Sequence, residues 1–206
     1  MYTKEQFCAD LNIPDISAPT KLLEYNCSST SAFTPEVLKF ISWQYTNTTK
    51  PLLIAEVGVW LGTTTLAMLA EFDCFVFAID PFRFTENMYK KHADKPFWTA
   101  VMPTLKEQYI SNMIHQEVWD KVILIPEFSV VATKYFPDNF FDVVIIDGCH
   151  ETQSACYDVL FWEPKVKSGS YLIGDDRKSP RVYDGLILAD KEPDAFWDNL
   201  WWRKVK

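Results

Sequence analysis

Five short apolar segments, separated by stretches long enough for helices, constrain the fold of this 206-residue chain most strongly. The segments are Leu52–Val57, Phe75–Ile79, Val122–Ile125, Phe141–Ile146 and Tyr171–Ile173. Runs this apolar, without polar alternation, are typical of strands buried on both faces of a parallel sheet. The spacers are long enough for the crossover helices that parallel strands require. The pattern therefore predicts an α/β fold with helices on both faces of a mostly parallel sheet.

The residues before the first strand differ from the rest of the chain. The stretch Met1–Lys50 contains Pro14 and Pro19, a polar segment at 27–31, and a helix candidate that begins at Pro35 and has apolar residues at helical spacing. We interpret residues 1–50 as a helical extension that packs against the domain or covers it as a lid. Residues 51–206 are expected to form one continuous domain, which suits a chain of this length.

Composition and charge argue against several classes of protein. No apolar run approaches the roughly 18 residues of a membrane-spanning helix, and the N-terminal residues lack the apolar segment of a secretory signal. Five cysteines without a C-x-x-C pair indicate free thiols and a cytoplasmic location. A net charge of −8 without a Lys/Arg cluster disfavours nucleic acid as a partner. We therefore expect a small-molecule ligand and neither nucleic acid nor a membrane.

The first chemical motif begins at the end of the first strand. Residues Glu56–Thr65 read E-V-G-V-W-L-G-T-T-T and lead into a helix predicted at 66–72. Two glycines four apart allow a tight turn that brings a ligand to the helix N-terminus, where backbone N–H groups and threonine hydroxyls can bind it. The motif is not G-x-G-x-x-G, which weakens a dinucleotide interpretation. Asp80, at the end of the second strand, can accept both hydroxyls of a ribose or cap a turn.

Three further acids follow two segments expected to be neighbouring strands. Asp147 follows Phe141–Ile146, and Asp175 and Asp176 follow the last apolar segment. Neighbouring strands lie about 4.8 Å apart, so the three carboxylates can converge on Mg²⁺, Mn²⁺ or Ca²⁺. The alternative is that Asp175 and Asp176 cap the following turn and one points away. His150, three residues after Asp147, is a candidate general base.

Together these residues resemble a known family. Glu56-x-Gly58-x-x-x-Gly62, Asp80, Ser129, Asp147-Gly148-x-His150 and Gly174-Asp175-Asp176 look like the motifs of class I S-adenosylmethionine-dependent methyltransferases. More narrowly, they resemble the metal-dependent O-methyltransferases of the macrocin/mycinamicin and cephalosporin-biosynthesis type, and more distantly catechol O-methyltransferase. The resemblance covers residues 52–176. No glycine precedes Ser129, and the 30 residues after Asp176 predict a short or truncated final strand pair with one strand at Trp201–Val205.

The resemblance implies a Rossmann-like S-adenosylmethionine-binding domain over residues 51–206 and assigns roles within it. The residues implied to bind the cofactor are Glu56, Gly58, Trp60, Gly62, Thr64, Asp80, Phe82, Ser129 and Asp147. Glu56 and Gly58 would line its methionine end, Asp80 would bind its ribose, and Phe82 and Ser129 would border its adenine. A Mg²⁺ ion, or Mn²⁺ or Ca²⁺, would be held by Asp147, Asp175 and Asp176. His150 would be the catalytic base, acting with Asp147.

These observations favour one activity and leave three alternatives open. We expect metal-dependent methyl transfer to a hydroxyl of a small molecule, with a sugar or glycan carrying vicinal hydroxyls as the favoured acceptor. The segment Arg83–Asp120, together with the extension, is expected to form a lid that carries acceptor specificity. The alternatives are a metal-independent methyltransferase, a nicotinamide-dependent oxidoreductase and a non-catalytic cofactor-binding domain. A short final strand pair also raises the possibility that a second copy of the chain completes the sheet.

Overall fold

The computed structural model describes residues 2–27, 33–46, 48–83 and 95–206. Residues 28–31 of the polar segment lie outside the described residues, as do residues 84–94 of the expected lid. None of the helices in the described ranges is both long enough and apolar enough to cross a membrane.

The described strands form one mixed sheet. They are β1 (Leu52–Val57), β2 (Cys74–Ile79), β3 (Val122–Ile125), β4 (Phe141–Ile146), β5 (Val166–Gly174), β6 (Ala195–Trp197) and β7 (Leu200–Lys204). Their order is β3-β2-β1-β4-β5-β7-β6, in which β7 is antiparallel to both its neighbours and β1 to β5 are parallel. The predicted α/β sheet is therefore confirmed. The strand β5 begins five residues earlier than predicted, because its first half, Lys167–Ser170, is partly exposed and lacks an apolar pattern.

Helices pack on both faces of the sheet. They are α1 (Lys4–Asp10), α2 (Phe33–Gln44), α3 (Thr63–Glu71), α4 (Pro96–Val101), α5 (Leu105–His115), α6 (Ser129–Ala132), α7 (Thr152–Trp162) and α8 (Pro180–Leu188). One core lies between the sheet and α1, α7 and α8, and the other lies between the sheet and α2, α3 and α5. The helix predicted at 66–72 begins three residues earlier, because Gly62 has left-handed backbone geometry and lets the threonines start α3.

The N-terminal extension is tied to the domain by buried polar side chains of α5. Ser111 accepts a hydrogen bond from the Leu23 amide at 3.0 Å, and Asn112 accepts one from the Asn26 amide at 2.9 Å. Gln108 donates to the Glu24 carbonyl at 2.7 Å. These bonds satisfy backbone groups of an irregular segment that would otherwise lose hydrogen bonds on burial. The extension is therefore integrated with the domain rather than loosely attached.

The final strand pair is short but present. The strand β7 corresponds to the segment predicted at Trp201–Val205, and the three-residue β6 completes the pair. Trp201 packs directly on Gly174: a Cβ added to this glycine would lie 2.2 Å from the indole ring. The Trp201 indole N–H donates to the Asp175 carbonyl at 3.0 Å. The sheet is thus completed within the chain, and pairing with a second copy is not needed for that purpose.

Candidate functional site

A cavity of about 610 Å³ opens where β1, β2 and β4 end. Its lining includes Glu56–Trp60, Asp80, Phe128–Val130, Asp147–Cys149 and Asp175. Ligands of open α/β sheets bind beyond the carboxyl ends of the strands, and a cavity of this size suits a small molecule. Most of the site residues expected from the sequence therefore lie around one space.

Gly58 brings the loop after β1 into close contact with the end of β4. Its φ is +87°, and an added Cβ would lie 2.1 Å from the Asp147 carbonyl oxygen. Gly62, with φ of +89°, has a different role, because its Cβ would lie 2.3 Å from the Met113 side chain of α5. Gly62 thus allows α5 to approach the loop, whereas Gly58 forms part of the cavity wall.

Glu56 is a buried acid at the floor of the cavity. It is 2% exposed and accepts a hydrogen bond of 2.5 Å from the Thr65 hydroxyl, which in turn accepts one of 3.3 Å from Tyr109. Burial, aided by the charges of Asp147 and Asp80 and partly offset by the bond from Thr65, raises the pKa of Glu56 to about 8. A cationic group bound here would favour the ionised form of Glu56.

Glu56 is expected to make the stability of the unliganded protein depend on pH. Because its pKa is about 8 in the fold and near 4.5 ordinarily, its contribution to the free energy of unfolding is highest below about pH 4.5 and is lost as the pH rises to about 8. Glu56→Gln keeps an acceptor for Thr65 and removes this ionisation. Relative to wild type, we expect the variant to gain roughly 3–4 kcal/mol between pH 5 and pH 9.

Urea unfolding at the two pH values measures this effect, and Glu71→Gln, at an exposed position, is the control. Parallel pH profiles for Glu56→Gln and wild type would contradict the assignment of the pH dependence to Glu56.

Asp80 ties the loop after β1 to the end of β2. Its carboxylate accepts hydrogen bonds from the backbone amides of Val59 at 3.2 Å, Trp60 at 3.3 Å and Phe82 at 2.7 Å. Burial raises the pKa of Asp80, and these three amides offset the effect in part. A carboxylate has about four acceptor positions, so Asp80 caps the loop and retains the capacity to accept a ribose hydroxyl. The two roles considered for Asp80 are therefore compatible.

The residues expected at the adenine differ in placement. Ser129 lines the cavity, whereas Phe82 is not among its lining residues. The Phe82 ring lies 5.9 Å from the Tyr109 ring, centre to centre, and packs against the cluster of Leu61, Val101 and Leu105. The Trp60 ring instead lies 4.4 Å from the Trp98 ring of α4, centre to centre and tilted by 37°, and both residues line the cavity. Thr64, also expected to bind the cofactor, lines the cavity and exchanges a 2.7 Å hydrogen bond with Thr34.

His150 lies between two of the acids expected to hold a metal. Its Nδ1 is 2.7 Å from an Asp176 carboxylate oxygen, and its Nε2 is 3.4 Å from one of Asp147. Within the described part of the chain, Nε2 is buried and has no hydrogen-bond partner. A proton on Nδ1, held by Asp176, leaves Nε2 as the basic nitrogen. The role of general base that the sequence analysis assigned to His150 stays a prediction.

The three carboxylates lie close enough to influence one another. Burial raises the pKa of Asp175 to about 7, and repulsion from Asp147 and Asp176 contributes. Burial also raises the pKa of Asp147, which His150 partly offsets. Burial lowers the pKa of His150, but the acids Asp147, Asp176 and Asp175 together outweigh it and the net shift is upward. Three oxygen-donor carboxylates match the ligand chemistry of a hard divalent cation.

The positions of these side chains differ from those of a metal site. Among the described residues, no three His, Cys, Asp or Glu side chains are arranged to hold a metal ion. Asp175 and Asp176 instead share the side-chain amide of Asn199, which donates to them at 2.8 and 2.9 Å.

Asn199 and Asp158 are functional candidates that the sequence analysis missed. Asn199 lies in the turn between β6 and β7, and its sequence neighbourhood indicates a hairpin turn but not a contact with the end of β5. Asp158 lies within α7, is 4% exposed and lines the cavity. A single acid in an apolar helix is the signal that could have found it, because such a residue is rarely buried without a polar role.

The sheet order, the antiparallel β7 and the cavity at the strand ends define the class I methyltransferase fold. A model of a methyltransferase-domain family matches residues 55–177, and the chain belongs to that family. No curated protein sequence is significantly similar to the chain. The class-level resemblance seen in the motifs is therefore confirmed, and the nicotinamide-dependent alternative is set aside.

Solved structures support the same fold. The O-methyltransferase NovP is 16% identical, with a TM-score of 0.59 over 88% of this chain and 84% of its own. Cofactor-bound Rv0187 from MTB is 14% identical, with a TM-score of 0.59 and the same two coverages. The 1,6-didemethyltoxoflavin-N1-methyltransferase of Burkholderia thailandensis is 12% identical, with a TM-score of 0.55 over 86% of this chain and 80% of its own. At these identities the likeness concerns the fold, and the narrower macrocin-type resemblance stays a prediction.

Proposed function

We propose that the protein transfers a methyl group from S-adenosylmethionine to a hydroxyl of a small molecule, with a sugar or glycan carrying vicinal hydroxyls as the favoured acceptor. The observation that carries the O-methylation proposal is the position of His150, whose Nδ1 is held by Asp176 and whose Nε2 lies 3.4 Å from Asp147, a residue of the cavity wall. An acceptor hydroxyl must lose a proton during methyl transfer, and this nitrogen is placed to receive it.

The cavity has separate groups for the parts of such a cofactor. Glu56 supplies a buried carboxylate for the α-ammonium of the methionine moiety, and Asp80 retains acceptor capacity for the ribose. Gly58 lets the loop backbone approach the ligand without a side chain in the way. The nearby carboxylates favour a cationic sulfonium over the neutral sulfide that remains after transfer. The site thus distinguishes the cofactor from its product by charge.

In the reaction that we propose, the acceptor oxygen forms a bond to the methyl carbon while the bond from that carbon to sulfur breaks. The electron pair of the broken bond stays on sulfur and gives S-adenosylhomocysteine. His150 accepts the hydroxyl proton at Nε2, and Asp176 stabilises the resulting imidazolium through Nδ1. Asn199 holds the Asp176 carboxylate in place for this contact.

Metal dependence is part of the proposal. Asp147, Asp175 and Asp176 are the residues that would hold Mg²⁺, and the mutual repulsion that helps to raise the pKa of Asp175 supports a cation there. A bound divalent ion lowers the pKa of a hydroxyl that it coordinates and fixes its orientation. Vicinal hydroxyls suit such chelation, which is why a sugar diol is the favoured acceptor.

The contact between His150 and Asp176 favours a second candidate, metal-independent O-methyl transfer. In that reaction His150 and Asp176 act alone, with Asp147 and Asp175 as structural acids. Turnover that persists in excess EDTA would support this candidate over the first, whereas turnover that EDTA abolishes and Mg²⁺ restores would support the first.

Thermal unfolding of the purified protein tests the proposed cofactor. We expect S-adenosylhomocysteine to raise the midpoint, because a ligand at 100 times its dissociation constant stabilises the fold by about 2.7 kcal/mol. NADH at the same concentration is the control and should give no shift. Mg²⁺ alone should stabilise the wild type more than Asp176→Asn, which keeps the shape of the side chain but removes its charge. A shift with NADH and none with S-adenosylhomocysteine would overturn the proposal.

A further inference from the structure

The outward side of α7 lacks the charged residues that a solvent-exposed helix normally carries. The residues of α7 that face the sheet are buried and mostly apolar, among them Val159 and Trp162. Its exposed residues include Tyr157, Leu160 and Phe161, which are large and apolar as well. The one charged residue of the helix, Asp158, is buried. A helix that is apolar all round is typically buried on all sides, which indicates that the outward side of α7 is a contact surface.

The helix α8 extends this apolar surface. Gly185 allows α8 to lie directly against α7, because an added Cβ would lie 2.7 Å from the Thr152 carbonyl oxygen and 2.8 Å from the Ala155 Cβ. The two helices therefore present their exposed side chains on one side of the molecule. We call these side chains the apolar face, and its members are Tyr157, Leu160, Phe161, Tyr183, Ile187 and Leu188.

The area of the apolar face matches what an interface between two copies needs. Its residues are between 40% and 63% exposed. Side chains of these types have on the order of 100–200 Å² of surface each, so the face presents roughly 500 Å² of it to solvent. The largest apolar patch of a typical monomer is about 300–600 Å² and is often functional. On two copies the face amounts to about 1,000 Å², the size that a specific interface requires, before any polar rim is added.

The charges near the apolar face favour a second copy of the chain as its occupant. The exposed charged residues of α8 are Arg181 and Asp184, one of each sign, and α7 has none. Two copies can therefore meet here without the repulsion that a net charge of −8 would cause elsewhere. A membrane surface is a poorer match, because helices that lie on membranes carry Lys and Arg beside their apolar side. A two-fold dimer, the commonest oligomer, uses the same patch on both subunits.

We propose that two copies of the chain associate through the apolar face, with α7 and α8 of one copy packed against α7 and α8 of the other around a two-fold axis. The contact involves these helices and not the edge strand β6, so it differs from completion of the sheet by a second copy. Tyr157 also lines the cavity, and the interface therefore reaches the cavity rim. The association does not depend on the proposed methyl transfer.

Sedimentation velocity of the purified protein at roughly 100 µM tests the proposal, since interfaces of standard size have micromolar or tighter dissociation constants. We expect the wild type to sediment with twice the mass of the chain. Leu160→Glu places two unpaired charges in the interface, one from each copy, and should weaken association by more than about 100-fold. Leu188→Glu should do the same from α8.

Leu22→Glu is the matched control. It introduces the same charge at a leucine of similar exposure, next to the segment that binds α5 on the other face of the sheet. This variant should stay dimeric. Circular dichroism should show that all three variants are folded, because each replaced leucine is exposed.

A monomeric wild type would overturn the proposal and would make a different protein or a membrane the occupant of the apolar face. Dimers that persist in folded Leu160→Glu and Leu188→Glu would place the interface elsewhere and overturn it too. If one of these variants does not fold, the other decides. Loss of the dimer in Leu22→Glu as well would mean that added charge anywhere disrupts association, which would contradict the assignment to the apolar face.

Discussion

Replacing His150 with alanine is expected to lower turnover by about 10²- to 10⁴-fold, the usual contribution of a general base, while the affinity for S-adenosylhomocysteine stays within about threefold. The reason is the separation of roles within the site. His150 touches Asp147 and Asp176 rather than the loop after β1, and it is not among the residues that line the cavity. Loss of its ring removes the proposed proton acceptor and leaves Glu56, Gly58 and Asp80 in place.

Turnover of an accepted substrate and calorimetric binding of S-adenosylhomocysteine measure the two halves of this prediction. His115→Ala is the control, because His115 is an exposed histidine at the end of α5 whose Nε2 contacts the Leu23 carbonyl at 2.8 Å. It should keep turnover near the wild-type value. Unchanged turnover in His150→Ala would remove His150 from the mechanism, and a matching loss of cofactor affinity would make it a structural residue instead.

The sequence allowed the strand ends to be predicted better than the contacts between them. Glu56 lies near the end of one apolar run, and Asp80 and Asp147 follow two others. Parallel strands place such ends at one edge of the sheet. The contact of His150 with Asp176 joins the loops after β4 and β5, and the contact of Asn199 with Asp175 depends on how β7 returns beside β5; each spans more than 20 residues of chain. Nothing in local sequence specifies that approach.

Phe82 illustrates another limit of sequence reasoning. The resemblance implied that Phe82 borders the adenine, and this stays a prediction; in the structure Phe82 has a φ of +49° and its ring packs towards Tyr109 and Leu105. The N-terminal extension shows the same limit, since its hydrogen bonds to Ser111 and Asn112 join residues more than 80 positions apart. Tertiary packing decides such placements, and motif spacing does not.

Gly58→Ala is expected to lower the free energy of unfolding far more than the same substitution at another glycine with left-handed backbone geometry. The added methyl would lie 2.1 Å from the Asp147 carbonyl oxygen, so the ends of β1 and β4 would have to separate. Their separation would disrupt the 2.8 Å backbone hydrogen bond from Asp147 to Val57, and a displaced Gly58 would strain its own 2.8 Å bond to Ile79 of β2. With the strain of a left-handed alanine added, we expect a loss of more than about 3 kcal/mol in the free energy of unfolding.

Gly169→Ala is the matched control for this prediction. Its φ of +83° is nearly that of Gly58, but an added Cβ would meet nothing within 4 Å. It should therefore lose only about 1–2 kcal/mol from backbone strain and keep its affinity for S-adenosylhomocysteine. Gly58→Ala should also lose that affinity, because the same methyl would displace the cavity wall at Asp147. Urea unfolding and calorimetry of both variants test this prediction. Equal losses of stability and of affinity in the two variants would mean that backbone strain, and not contact with β4, explains the effect of Gly58→Ala.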